Sequence, residues 1–214
     1  MSCDLYVSAL DLDRLGSVKG SRDEILLATI IERNRDCIAA HDEYFRVFPG
    51  VVQYVPLADA VAQIFRQSID ANIEPRFQFE HAVALIADTM GELLDAGCFA
   101  ESRASFWIEV DAVICRRLLA ADRPCRDWPK LAEVLKRGPF IDIPCDHEHA
   151  LGSGYLKAEE VLVASSAAAL CDLERPDSTL DDLQWPDEAL DAAKQYRDWL
   201  RHASANGLGL YFHA

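Results

Sequence analysis

Cys145, Asp146, His147, Glu148 and His149 form the densest run of potential metal ligands in the chain, directly after Pro144. In an extended segment alternate residues share a side, so Cys145, His147 and His149 would present a thiolate and two imidazoles together. That donor set suits zinc, with water as fourth ligand and Glu148 or Asp146 as base for a metal-assisted hydrolysis. The competing reading is a solvated polar loop, because no second ligand pair stands at zinc spacing elsewhere. No other cofactor is called for: the sequence has no phosphate-binding glycine loop and no nucleophile elbow.

His41-Asp42-Glu43 and Glu80-His81 set carboxylates next to imidazoles, the composition of an acid/base pair. Sequence neighbours on a helix point in different directions, so these residues are not expected to pair with each other. Cys115 stands beside Arg116 and Arg117, whose charges could stabilise a thiolate; its helical setting instead predicts a buried, inert thiol.

The segment from Asp172 to Asp191 carries Asp172, Glu174, Asp177, Asp181, Asp182, Asp187, Glu188 and Asp191 against Arg175 alone. Trp185 lies between its carboxylates. An exposed indole among acids would anchor a basic partner, which makes Trp185, Asp181, Asp182, Asp187 and Glu188 the candidate partner-binding residues. The alternative is a solvated linker that keeps the protein in solution.

These groups need a scaffold, and the composition supplies one. Half of the 214 residues are apolar, enough to bury a core without staples. Lys and Arg total 21 against 36 Asp and Glu, a formal charge of -15. Such a field repels nucleic acid and anionic membranes and attracts cationic partners. The seven cysteines are odd in number, scattered and without a C-x-x-C pair, the usage of a reducing cytoplasm. Met1-Ser2-Cys3-Asp4 lacks the basic and apolar regions of a signal peptide, and the apolar run Val161 to Cys171 is too short to cross a bilayer. The expectation is a soluble cytoplasmic protein.

Strands are expected at both ends, Leu5 to Leu10 and Leu208 to His213, with Val51 to Val55 and Phe140 to Ile143 as further candidates. Ser21 and Glu24 read as a capping box opening a helix to about Ala40. Pro56 opens another through Leu57, Val61, Ile64, Phe65 and Ile69. Phe79, Val83, Ile86, Met90 and Leu93 mark a helix stopped by Gly97, and Trp107, Val110, Ile114 and Leu118 mark the next. A short helix is expected within Lys130 to Lys136. Leu156 and Val161 staple the start of a helix running from Ala158 to Leu170, and Pro186 begins the last one, with Leu190, Ala193, Tyr196, Leu200 and Ala203 buried. The sum is one α+β domain over 1–214, mostly helical, with a small sheet containing the N- and C-terminal strands and an acidic loop at about 172–186.

Several of these stretches together carry a resemblance: Asp11-Leu12 with Leu15, Gly20-Ser21 with Asp23-Glu24, and Phe77-Gln78-Phe79-Glu80-His81-Ala82. Toward the end come Gly154-Tyr155-Leu156 with Glu159-Glu160-Val161, Trp199-Leu200 with Ala203, and Gly207-Leu208-Gly209-Leu210 with His213. The chain resembles a group of uncharacterised bacterial proteins, and its two ends are similar in layout to the YfbM-like family. Lys157-Ala158 stands where the usual pair is Thr-Pro. The resemblance implies an α+β fold of unknown function and transfers no catalytic residue. Two functions follow from the residues themselves: an acidic interaction module, of inhibitor or immunity-like kind, or a hydrolase built on Cys145, His147 and His149.

Overall fold

Along the first strand Leu5, Val7 and Ala9 enter one buried cluster, whereas Leu10 enters another. This is the two-residue period of a strand with both faces covered, and it sorts the helices into two layers. The computed structural model describes residues 5–47, 54–69, 77–96, 104–125, 128–143, 152–174 and 180–213. In chain order its elements are β1 (Tyr6–Leu10), α1 (Leu12–Gly16), α2 (Glu24–Arg33), α3 (Arg35–Arg46), α4 (Leu57–Arg66), α5 (Phe77–Met90) and β2 (Glu92–Ala96). They continue with α6 (Ala104–Ala120), α7 (Leu131–Val134), β3 (Ser153–Leu156), α8 (Ala158–Ala168), α9 (Pro186–Ala205) and β4 (Gly209–His213).

The fold is α+β, as the sequence predicts. Its four-stranded antiparallel sheet has the order β2-β1-β4-β3, so the two terminal strands are direct neighbours at its centre, with Tyr6 opposite His213 and Leu10 opposite Gly209. On one face Val7, Leu156, Leu210 and Phe212 pack with α6, α8 and α9. There Tyr196 is fully buried, edge-on to Trp128 at 5.5 Å and to Phe212 at 6.2 Å. On the other face Leu10 and Tyr211 pack with α1, α2, α4 and α5 through Leu15, Ile30, Ile64, Phe65, Phe79 and Ile86. Each such side chain contributes roughly 1.5–3 kcal/mol by leaving water.

The edge strands are not the expected ones. Phe140 to Ile143 forms no strand, its Ile141 and Ile143 being buried against the α1–α5 layer instead; Tyr54 and Val55 form none, and 51–53 lie outside the described residues. β2 occupies sequence that continues the helical stripe of α5. The helix ends where Gly91 backs onto β1: a Cβ there would lie 2.9 Å from the Ala9 carbonyl oxygen. β3 uses Gly154-Tyr155-Leu156, the stretch read as the approach to a staple. Gly154 is required by contact, since a Cβ would come 2.0 Å from the Val134 carbonyl oxygen.

Local capping also departs from expectation. Asp23, not Ser21, caps α2 by accepting from Leu26 N at 2.9 Å, while Glu24 pairs with Arg66. The helix read as continuous to Ala40 breaks at Asn34, whose amide donates to Ile30 O and to Thr89 Oγ1, both at 2.8 Å. The start of α8 follows expectation: Glu160 stands where a capping box places its acid, and its carboxylate accepts from Lys157 N at 2.9 Å and from Arg137 at 2.8 Å through both oxygens. Cys115 corrects a further expectation: it is disulfide-bonded to Cys125, because a left-handed Asp122 (φ 55°) turns the chain back along the end of α6. Among the described residues no helix is long and apolar enough to cross a membrane.

Candidate functional site

Of the acidic segment, 172–174 and 180–191 are described, and the second part is a ledge fastened to α6. Leu180 is buried in the α6/α8/α9 core, and Leu183 and Trp185 pack partly against it. The Glu109 carboxylate accepts from Gln184 N at 3.1 Å and from Trp185 N at 2.9 Å, so it satisfies amides at the start of α9 that the helix itself cannot. Arg116 grips Asp182 through both oxygens at 2.6 and 2.9 Å and thereby holds its carboxyl below the usual range.

The candidate residues therefore separate. Asp182 has its cation. Trp185 is half-buried, with Phe106 at 6.2 Å, and stands at the N-cap of α9. Asp181, Asp187 and Glu188 are exposed and have no ion-pair partner among the described residues. Asp191, one turn further on, pairs with Lys194 at 3.2 Å.

A second group of ionisable residues gathers on the opposite face of the sheet, between α3, α5 and the paired ends of β1 and β4. His41 Nε2 lies 2.6 Å from His81 Nδ1, and the Phe45 ring flanks both imidazoles at 4.5 and 5.3 Å. Burial, followed by the nearby charges of His41 and His213, pushes His81 down to about 3. Burial lowers His41 as well, against the opposing pull of Asp42. The Asp42 carboxylate accepts from Leu57 N at 2.9 Å, capping α4, and from the Tyr54 hydroxyl. Two turns along α5 from His81, Asp88 accepts from Ser8 Oγ at 2.6 Å and meets His213 Nε2 at 3.1 Å. Tyr6 stacks on the His213 ring at 5.0 Å and 5°.

His41 and His81 are each legible as potential acid/base residues; His41 meets its neighbour Asp42 through Nδ1 at 3.5 Å, a pairing the helical reading argues against, and meets His81 across two helices. Asp88 and His213 carry no sequence signal beyond the seven-residue spacing that puts His81 and Asp88 on one face of α5. Cys145, His147 and His149 lie outside the described residues, as do Asp146 and Glu148. Among the described residues no three His, Cys, Asp or Glu side chains are arranged to hold a metal ion.

Comparison with known proteins gives one match, a family model described as a domain of unknown function, DUF7691, over residues 1–213. No curated protein and no solved structure matches the chain.

Proposed function

Because the chain belongs to the DUF7691 family, a domain of unknown function, we propose on physical grounds that it is an acidic protein-interaction module whose ledge at the start of α9 binds a basic protein. The observation that supports this is the contrast within the ledge. Its apolar residues and backbone are tied to α6 through Leu180, Glu109 and Arg116, while Asp181, Asp187 and Glu188 stay exposed with no cation paired to them among the described residues. A charged surface fixed before encounter loses little entropy on binding and steers association through its field. The exposed part of Trp185 supplies the apolar contact amid these charges. An inhibitor or immunity-like factor acts in this manner, occupying a cationic site on its target. The scattered cysteines support a cytoplasmic setting, with Cys115–Cys125 as the exception.

The test is an unbiased pulldown from the native cell at low and moderate salt, then association kinetics on each partner retained. Asp181→Asn, Asp187→Asn and Glu188→Gln together should slow association by about tenfold at low ionic strength, with the difference shrinking as salt screens charges beyond about 8 Å. Unchanged association rates in that triple variant, or the absence of any basic partner, would end this reading.

A further inference from the structure

Ser153 of β3 and His213 of β4 are directly opposed, and Tyr6 of β1 is opposed to His213 on the other side. Directly opposed residues carry their side chains on one face, with Cβ atoms about 5 Å apart. That face is the one covered by α5, because Asp88 on α5 contacts both Ser8 and His213. Ser153 is only 5 % exposed, and its hydroxyl has no hydrogen-bond partner among the described residues. Buried hydroxyl groups are ordinarily satisfied, so one that is not points to an additional molecule that completes it.

His213 is prepared for the same molecule. Ser8 gives its hydroxyl hydrogen to one Asp88 oxygen, which leaves the carboxylate as acceptor for the ring and makes Nε2 the protonated nitrogen. Nδ1 is then the nitrogen that can accept. The stacked Tyr6 ring fixes the imidazole plane, and the side chain is 19 % exposed, within reach of a small molecule.

We propose that His213 and Ser153, positioned by Asp88 and Tyr6, form a proton-accepting binding site for a small neutral ligand that carries an O–H or N–H donor beside an oxygen acceptor, such as an alcohol or a primary amide. The ligand donates to His213 Nδ1 and accepts from the Ser153 hydroxyl. Asp88 touches only the ring and acts by setting its tautomer. An anion fits less well, since the Asp88 carboxylate sits behind the ring and the neighbouring His81 is kept uncharged by burial. The site is on the sheet face away from the acidic ledge and does not depend on that surface being a docking site.

The experiment is imidazole NMR on the full chain labelled with ¹⁵N, with His213→Gln used to assign the signals. In the unmodified protein His213 should be the Nε2–H tautomer, and Asp88→Asn should shift it to a mixture. Acetamide and glycerol are the probes, added to the millimolar range. At least one should move the His213 signals saturably, leave His202 unmoved beside Glu92, and bind about tenfold more weakly to Ser153→Ala. Three results would each overturn the proposal: an Nδ1–H tautomer in the unmodified protein, no saturable shift with either probe, or a shift that survives Ser153→Ala at full strength.

Discussion

His41 Nε2 and His81 Nδ1 lie 2.6 Å apart, so a single hydrogen joins an imidazole of α3 to an imidazole of α5. Charging both rings would set two cations in contact in a partly buried place. α3 is held to its neighbours mainly at this end, by buried Ile38, by the His41 and Phe45 rings and by Asp42, which accepts from Leu57 N and from the Tyr54 hydroxyl.

The first consequence is acid lability. His81 titrates at about 3 in the folded protein against 6.5 for an ordinary histidine. Between those values the unfolded chain binds the extra proton, so stability is complete above about pH 6.5 and is lost as pH falls toward 3. The loss from this residue is at most about 5 kcal/mol, and His41 shifts in the same direction. Urea unfolding at pH 7, 5 and 4 should show a shallower pH dependence for His81→Phe than for the unmodified chain. Parallel curves would show that the pair is not the origin.

Asp111 should be the most costly single carboxylate to remove. Its oxygens accept from Leu131 N at 2.8 Å, Ala132 N at 3.0 Å and Trp128 Nε1 at 3.3 Å, so a side chain of α6 caps α7. Asp111→Ala leaves those donors buried and unpaired, and should destabilise by about 3 kcal/mol in urea titrations. Burial also raises the Asp111 pKa to about 6. The folded chain therefore keeps a proton that the unfolded chain loses near 3.8, and this residue's contribution falls as pH rises from about 4 to 6. The alanine variant should lack that decline.

Two glycines separate contact from conformation. Gly154→Ala would drive a Cβ to 2.0 Å from the Val134 carbonyl oxygen, and should cost about 3 kcal/mol or more because backbone must move. Gly207 has nothing within 4 Å but a φ of +65°, so Gly207→Ala should cost only about 1 kcal/mol. Equal midpoint shifts in thermal unfolding would contradict this contrast.

The Cys115–Cys125 bridge closes a short loop, with a sequence separation of 10. Closing a loop of that size stabilises by about 2–3 kcal/mol through the unfolded state. Reduction, followed by intact mass, should lower the urea midpoint accordingly; a Cys115→Ser, Cys125→Ser variant should match the reduced protein and be indifferent to reductant.

The parts of this fold that were legible in sequence are those whose cause is local. The terminal strands show alternation bounded by Asp11 and by Gly207, and the long helices show their buried stripes. β2 was hidden because Leu93 and Leu94 extend the apolar spacing of α5; what stops the helix is Gly91 lying against Ala9, a contact between distant segments. β3 was hidden for the same reason, its glycine answering to α7. At the candidate sites the charges were readable and their partners were not. Nothing near Asp182 indicates Arg116, and nothing near Asp88 indicates Ser8 or His213, because those pairs exist only once the sheet has set α5 and α6 on opposite faces.

That β1 and β4 lie side by side at the centre has a consequence for the order of synthesis. β2 hydrogen-bonds to β1 and β3 to β4, so the last strand is the seam between two halves made at different times. While a ribosome is still producing α9, β1 has its partner on one edge only and β3 has none. Closure of the sheet waits for the final strand, which makes folding slow for a chain this helical and leaves an unpaired inner edge on every nascent molecule. A chain shortened by its last few residues would keep most of its helices and lose the seam, presenting two open strand edges to its neighbours.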